Sequence, residues 1–307
     1  MQRRSDDPGL SEKFFSRTKR IINNDGSFNI IRRGANFTIW DIYQFLINLS
    51  WPRFISVILG CYFLINLVYA MLYFATGIDG VHGARADNPL KTIENLFFFS
   101  VQTISTVGYG NMSPRGIPAN ILVTFETLTG LLVFALVTGL LYGRFSRPTA
   151  RILYSSKALI APYNNGTSFQ FRIANQRRNA LLEVEAKAMA AFVENTNGRS
   201  ERKYYNLTLE RSYIYFFPLS WTIVHPINED SPFWNKTPDD LKEHEAEILI
   251  LIRGFDDTFS QYVHSRYSYR FDEIIEGARF KPAFFIDANG DVIINLTDLG
   301  EYEMSAD

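Results

Sequence analysis

The sequence contains little that would support covalent stabilisation or enzymatic chemistry. Its 307 residues include one cysteine, Cys61, so neither a disulfide framework nor a thiolate metal site can form within the chain. It has no G-x-S-x-G, H-E-x-x-H, Walker-loop or G-x-G-x-x-G motif, and its four histidines are far apart. We therefore expect neither an enzyme nor a resident cofactor, nor a dinucleotide-gated regulatory domain.

Charge is also scarce in places where other functions would need it. The formal net charge is −1, and the basic residues cluster beside apolar runs, so we expect no nucleic-acid partner. No apolar run is rich in arginine, which argues against a voltage sensor. The stretch from Asp287 to Asp291 resembles the beginning of a calcium loop, but its glycine comes too early and no glutamate closes it. Asn289-Gly290 predicts a hairpin turn there instead.

Two long apolar runs stand out, at residues 54–75 and 117–142. The first has no charged residue between Arg53 and Asp79, and 22 helical residues extend about 33 Å, enough to cross a bilayer. The second contains Glu126, which lipid would penalise by several kcal/mol, so we expect its carboxyl group to face protein. Two membrane spans are predicted in preference to buried helices of a soluble protein.

Basic residues precede the first span and follow the second, which predicts that both termini lie in the cytoplasm. The first 35 residues are polar and basic, without a short apolar core, so we expect the first span to direct insertion into the cell inner (plasma) membrane. We divide the chain into a cytoplasmic N-terminal segment (1–37), an interfacial helix with a membrane pore domain (38–150) and a cytoplasmic domain (151–307).

Short helices are predicted on either side of the first span. In residues 38–50, Ile39, Ile42 and Leu46 fall near one helical face before Trp51-Pro52 interrupts the pattern. This favours a helix along the inner interface, with an extension of the first span as the alternative. Between the spans, Thr92 is a possible N-cap of about a dozen apolar residues, or roughly 18 Å of helix. That is too short to cross, so a re-entrant segment is predicted.

The second half of the chain reads as a β-sandwich. Leu182, Val184 and Ala186 alternate with charged residues, as in a half-buried strand. Turn signals occur at 164–166, 197–198 and 289–290, and Thr237-Pro238 predicts the start of a helix. Further strands are predicted near residues 168–174, 205–210, 213–224, 247–252, 280–286 and 291–296. The predicted fold is an α+β membrane protein with two transmembrane helices, a re-entrant pore helix and a cytoplasmic immunoglobulin-like β-sandwich.

The re-entrant helix is followed by the pentapeptide TVGYG, from Thr106 to Gly110. Gly108 and Gly110 can adopt backbone angles closed to other residues, so successive carbonyls can point one way and bind a cation. The Thr106 hydroxyl adds a ligand, while Val107 and Tyr109 are expected to pack against the short helix. The pentapeptide is the signature of potassium-channel filters and is recognised as such. One chain supplies a quarter of a ring, so a homotetramer is predicted, with K⁺ as the permeant ligand at residues 106–109.

Five separated stretches make the resemblance specific. They are SWPRF at 50–54, FFFSVQTISTVGYG, RFSRPTA at 144–150, LSWTIVHPINEDSPFW at 219–234 and HSRYSYRFDEIIEGARF at 264–280. The chain resembles prokaryotic inward-rectifier (KirBac-type) potassium channels from about Asp25 to Tyr302. The resemblance implies an immunoglobulin-like sandwich that assembles as a tetramer. Gln102 and Met112 stand where animal members have an ion pair that braces the filter, and the animal cysteine pair is absent.

The second span contains the candidates for gating. Gly130 and Gly139 are predicted hinges, and Phe134 with Tyr142 is predicted to form a hydrophobic constriction. Packing of both aromatics between helices is the alternative. Phe134 occupies the position where strongly rectifying relatives have an acid, which predicts weak block by spermine.

Just beyond the second span, Arg147, Arg151 and Lys157 form a basic cluster expected to bind anionic membrane lipids. Plain positive-inside topology is an equally good interpretation of the cluster. A membrane-anchored binding module is the competing function for the whole chain, but it leaves TVGYG unexplained.

Overall fold

The computed structural model describes residues 8–10, 20–31, 33–34, 39–77, 79–196 and 199–305. The chain separates into two compact units. One is Gly34–Arg147, which is helical, and the other combines Met1–Arg33 with Pro148–Asp307 and is mostly β-structure.

Four helices build the described part of the helical unit, and two short strands, β1 and β2, pair antiparallel between them. The elements are α1 (Ile39–Asn48), α2 (Trp51–Ala75), β1 (Val81–His82), α3 (Pro89–Ile104), β2 (Ser113–Pro114) and α4 (Gly116–Phe145). Pro52 lies in the first turn of α2, where its missing N–H has no intrahelical partner to lose. The helix predicted over 38–50 is therefore separate from the span that follows it.

Helices α2 and α4 have 25 and 30 residues, and both are long and apolar enough to cross a membrane. Most of their large apolar side chains are exposed on the unit, including Leu59, Phe63, Leu132 and Leu136. Such an apolar surface is what a lipid environment requires, because water would penalise it.

The β unit is a sandwich of two five-stranded sheets in the described residues. Its elements are β3 (Ile152–Tyr154), β4 (Ala158–Tyr163), β5 (Gly166–Asn175), β6 (Leu181–Thr196), β7 (Arg199–Asn206), β8 (Tyr213–Phe216), β9 (Ser220–Ile227), α5 (Pro238–Glu243), β10 (Glu247–Asp256), β11 (Gln261–Arg270), β12 (Ile274–Glu276), β13 (Ala278–Phe280), β14 (Phe284–Ile286), β15 (Val292–Ile294) and β16 (Tyr302–Met304). One sheet runs β11-β10-β6-β7 with β8 also on β6, and the other runs β12-β4-β5-β3 with β9 also on β5.

Side chains from both sheets form the main core. Phe169, Phe171 and Ile223 come from one sheet, and Phe192 and Ile250 come from the other, each at most 1% exposed. Alternate residues of a strand point to opposite faces, so each sheet contributes every second residue to this layer. The β-sandwich predicted from the sequence is confirmed.

Prolines explain two differences from the predicted strands. The strand expected over 213–224 is two strands, β8 and β9, with Pro218 between them, and the strand expected over 280–286 is divided into β13 and β14 around Pro282. Proline has no N–H to donate to a strand partner, so the pairing stops there. The strand expected at 205–210 is β7, which ends at Asn206. In the β unit, strands β3, β4, β11, β12 and β16 were not predicted.

The alternation predicted for β6 is displaced at its beginning. Leu181 is buried, whereas Leu182 is only half-buried, because Glu183 has a left-handed φ of 50°. The pairing with β10 shifts register opposite this point, between Arg253 and Phe255. From Val184 onwards the predicted alternation holds. The turns at 164–166 and 289–290 are present, while the predicted turn at 197–198 lies outside the described residues.

An N-terminal segment packs on the outer face of the β10-containing sheet, which the sequence did not predict. Ile21 and Ile22 are buried against Ala191, Tyr204 and Leu249. The Glu247 carboxylate, 2% exposed as a residue, accepts hydrogen bonds from the backbone N–H of Ile21 and of Ile22. Residues 20–29 are therefore attached to the sandwich.

Candidate functional site

The re-entrant helix α3 begins earlier than the sequence predicted. Its N-cap is Asn88, whose side chain accepts a hydrogen bond from Leu90 N at 2.9 Å, and Pro89 occupies the first turn. Thr92, the predicted cap, lies inside the helix, where its hydroxyl oxygen accepts from Ala86 N at 3.1 Å. Asn-Pro is a stronger start signal than an internal threonine, because proline fixes a helical φ at a position that needs no donor.

The chain that follows α3 has a backbone of alternating handedness. Thr106, Gly108 and Gly110 have φ of 58°, 55° and 87°, and the residues between them are not in the left-handed region. Such alternation turns successive peptide planes so that neighbouring carbonyls can point to the same side. Threonine at positive φ is an outlier for a β-branched side chain, and such strain is characteristic of functional segments. The sequence predicted this freedom for the two glycines and missed Thr106.

The end of α3 holds this segment in place. Thr106 N donates to Thr103 O at 3.0 Å, and Val107 N donates to Gln102 O at 3.0 Å. The strained residue therefore follows directly from the last turn of a fixed helix. The partial negative charge of a helix C-terminus lies at the same end, where it favours a cation.

The side chains of this segment do not pack as predicted. Val107 is 51% exposed and Tyr109 is 74% exposed. The expectation that they pack against α3 is therefore wrong for a single chain. All residues from 105 to 111 are exposed, so the rest of this chain does not cover the segment.

Behind the segment, Glu126 of α4 is fully buried, as the sequence predicted from its position in an apolar span. Its two carboxyl oxygens lie within hydrogen-bond distance of the hydroxyls of Tyr73 in α2 and Ser100 in α3. Ser100 Oγ also lies 3.0 Å from Asn66 Oδ1 of α2. One polar cluster therefore joins α3 to both spans, which the sequence did not predict.

The predicted hinges occupy different environments on the continuous helix α4. A Cβ atom on Gly130 would lie 2.6 Å from Ile104 O, so glycine permits the close approach of α4 to the end of α3. A Cβ on Gly139 would meet no atom within 4 Å. Phe134 and Tyr142 are 75% and 73% exposed on the same helix, so neither is packed between helices of its own chain.

The C-terminal end of α4 is joined to α1 and α2 by Arg144. Its guanidinium donates to the carbonyls of Leu46, Ile47 and Leu49 at 2.7–2.9 Å. The same group lies 4.6 Å from the Trp51 ring centroid and 4.4 Å from that of Phe54. A cation at the C-terminal carbonyls of α1 also complements the helix dipole.

The three predicted lipid-binding residues are distributed over the two units. Arg147 ends the helical unit and is exposed, with Nη1 3.4 Å from Asn48 Oδ1. Arg151 and Lys157 belong to the β unit, where Arg151 is exposed and Lys157 Nζ donates to Asp272 O at 3.0 Å. Among the described residues, no group of three or more His, Cys, Asp or Glu side chains could hold a metal ion, so backbone carbonyls are the cation ligands to consider.

Comparison with known proteins agrees with this architecture. Residues 152–305 match the family described as "Inward rectifier potassium channel C-terminal domain", and residues 57–147 match the family described as "Ion channel". The chain is 40% identical over 272 residues to the inward rectifier potassium channel Kirbac3.1 of Paramagnetospirillum magnetotacticum, covering 88% of this chain and 90% of that relative.

A more distant relative is the human G protein-activated inward rectifier potassium channel 2, which is 24% identical over 298 residues, covering 88% of this chain and 69% of that protein. The solved structure of Spo0M, a sporulation control protein from Bacillus subtilis, overlaps 44% of this chain and 58% of its own at 9% identity and a TM-score of 0.24, which is too low to bear on the fold. The two family matches and the 40% identity over nearly the whole chain show that this protein is a membrane protein of the inward rectifier potassium channel family, and not an enzyme.

Proposed function

We propose that four copies of this chain form a potassium-selective channel whose filter is Thr106–Gly110. The observation that carries this proposal is the alternation of positive φ at Thr106, Gly108 and Gly110 in an exposed segment. Four such segments around one axis would present rings of carbonyl oxygens from residues 106–109, with the Thr106 hydroxyl at the inner end. These oxygens replace the hydration shell of K⁺.

Exposure of the segment supports the homotetramer. Val107 and Tyr109 are apolar or aromatic, yet they are largely exposed in one chain. In a tetramer, neighbouring copies would cover them and would stiffen the ring. A monomer would leave the segment without the packing that a filter needs.

The test is rubidium uptake into liposomes that hold the purified protein, with sodium as the competing ion and barium as the blocker. Gly108→Ala should abolish selective uptake, because a Cβ at φ 55° costs roughly 1–2 kcal/mol at each of four positions. Gly60→Ala is the matched control, since Gly60 lies within α2 and its added Cβ would meet no atom within 4 Å. Selectivity that survives in an intact Gly108→Ala tetramer would contradict the filter assignment.

We also propose the gate and the topology. Phe134 and Tyr142, exposed on α4, would face the shared axis and close it by dewetting, with Gly130 and Gly139 as the points of bending. Both termini would be cytoplasmic in a multi-pass inner-membrane protein. Tyr142→Cys, combined with Cys61→Ser to remove the native thiol, should react with an inner-side thiol reagent when the channel is open; no reaction in either state would contradict the gate.

Anionic lipids are the proposed regulators, through Arg147, Arg151 and Lys157. Each charge near a negative leaflet contributes about 1 kcal/mol. The exposed guanidinium groups of Arg147 and Arg151 support this role. The proposal does not include the sign of the response, because basic side chains explain why an anionic lipid binds and not whether its binding opens or closes the channel.

A further inference from the structure

The polar cluster between the helices of the membrane unit is fully buried. Asn66, Tyr73, Ser100 and Glu126 are each 0% exposed. Burying polar groups in an apolar surrounding is unfavourable unless their hydrogen bonds are made. The proposed functions of the filter, the gate and the lipid sites use none of these side chains.

The donors and acceptors of the cluster can be counted. Ser100 has one hydroxyl proton but lies within hydrogen-bond distance of two oxygens, Asn66 Oδ1 and Glu126 Oε1. The orientation of the Asn66 amide is determined by its Nδ2, which donates to Tyr62 O at 2.7 Å. If Ser100 donates to Asn66, then the remaining contact needs a donor at position 126.

A side chain at 126 that accepts from Tyr73 and donates to Ser100 satisfies every contact. The acid form of Glu126 does this, because one oxygen accepts while the other carries the proton. Glutamine would do the same with its carbonyl oxygen and its amide nitrogen. A carboxylate without the proton leaves two acceptor oxygens, on Asn66 and Glu126, competing for the one proton of Ser100.

The cluster lies about one helical turn before the end of α3. Glu126 meets Ser100, and four residues later Gly130 meets Ile104. Both partners advance by four residues, or about 6 Å of helix, so α3 and α4 run in the same direction along this contact. The Val107 N–H is bonded to Gln102 O within the same last turn of α3, so a shift of α3 moves the filter.

We propose that Glu126 is a positioning residue for the filter, which fixes α3 between the two spans by accepting from Tyr73 and donating to Ser100. It acts as a hydrogen-bonding acid and not as a fixed charge. The inference rests on the proposed filter at residues 106–110. Glu126 joins α3, the helix that ends at the filter, to both α2 and α4.

The experiment compares Glu126→Gln, Glu126→Leu and Ser100→Ala in rubidium and sodium uptake by intact tetramers, with barium block as a second measure of filter geometry. Ser100→Ala and Glu126→Leu should each lower the rubidium-to-sodium ratio about tenfold or more, as expected for a lost buried hydrogen bond repeated in four copies. Glu126→Gln should retain the ratio. Ser100→Ala is the small change that remains informative if Glu126→Leu does not assemble.

The matched control is Thr129→Val. Thr129 Oγ1 shares a hydrogen bond of 2.8 Å with Tyr69 Oη, which joins α2 to α4 without touching α3. Selectivity should therefore survive in Thr129→Val. A similar loss in Thr129→Val would show that general span packing matters, and it would overturn the specific role of Glu126.

Further outcomes would also overturn the inference. If Glu126→Gln loses selectivity as Glu126→Leu does, the charge matters and the donor role is wrong. If Ser100→Ala keeps selectivity while Gly108→Ala loses it, the filter stands and this inference fails alone. Unchanged selectivity in both Ser100→Ala and Gly108→Ala would reject the filter and the inference together.

Infrared spectroscopy should also show a protonated carboxylic acid band that disappears in Glu126→Gln. Absence of this band from the unmodified protein would reject the acid form of Glu126.

Discussion

The attachment of the N-terminal segment to the sandwich should depend on one carboxylate, Glu247. It accepts from Ile21 N at 2.9 and 3.0 Å, from Ile22 N at 3.3 Å and from Arg202 Nη1 at 3.2 Å. The side chain of Arg202 is 1% exposed. Glu247→Gln keeps the size of the side chain but replaces an acceptor oxygen with a donor amide, which must face either Arg202 or a backbone N–H.

The magnitude follows from the hydrogen bonds that join the segment to Glu247. The backbone N–H groups of Ile21 and Ile22 donate to this carboxylate, and a hydrogen bond to a charged group contributes about 1.5–3 kcal/mol. Arg202 belongs to β7 of the sandwich, so its ion pair with Glu247 does not itself join the segment to the sandwich. The equilibrium for release of residues 20–29 should therefore rise about 10- to 10²-fold. Glu245→Gln is the matched control, since Glu245 pairs with Arg202 at 3.5 Å but is half-exposed, and an exposed partner of this kind contributes only about 0–1 kcal/mol.

Limited trypsin digestion of the purified protein measures this release. Arg20 Nη1 is bonded to Glu273 at 3.1 Å and its side chain is 15% exposed, so cleavage after Arg20 requires the segment to leave. When opening is fast relative to cleavage, the rate follows the open population. Glu247→Gln should be cut after Arg20 far faster than the unmodified protein, and Glu245→Gln nearly at its rate. Equal rates for the two variants would refute the reasoning.

Three further predictions concern the pore, the lipids and pH. Phe134→Asp should strengthen cytoplasmic spermine block in planar bilayers, because four carboxylates in a confined cavity attract polyamines. Four phenyl rings offer only cation–π contacts of about 0.5–2 kcal/mol each. Steep block of the unmodified channel would contradict this prediction. Replacing both Arg151 and Lys157 with glutamine should shift the half-maximal response to phosphoinositide by about 30-fold, at about 1 kcal/mol per charge, and flux of the unmodified channel that ignores the lipid would reject the site. Burial lowers the pKa of His225 from 6.5, so the unfolded chain binds more protons and stability should fall as pH drops below about 6.5. His225→Gln should remove this part of the acid dependence in thermal unfolding measured at several pH values, and an unchanged acid dependence would contradict it. Protonation would also reverse the hydrogen bond of 2.8 Å between His225 Nε2 and Ser231 Oγ, because the protonated nitrogen can only donate.

Predictions that depend on neighbouring residues in the sequence agreed well with the structure. The two spans followed from the length of their apolar runs, and the capping of α5 followed from Thr237, whose hydroxyl accepts from Asp240 N. The errors came where two local signals competed. Asn88-Pro89 overrode Thr92 as the start of α3, and Pro218 divided a strand that the apolar pattern had made continuous.

The sequence by itself determined the membrane spans, the short helix between them, the TVGYG segment and the alternating strands of the sandwich. Each depends on transfer energies or backbone preferences that adjacent residues set together. Only the tertiary structure decided which polar groups meet. Ser100 and Glu126 are 26 residues apart, and Ile21 and Glu247 are 226 apart. No periodicity encodes such pairs, because a buried hydrogen bond depends on where packing places its two partners, and a serine or glutamate in an apolar run shows only that some partner must exist.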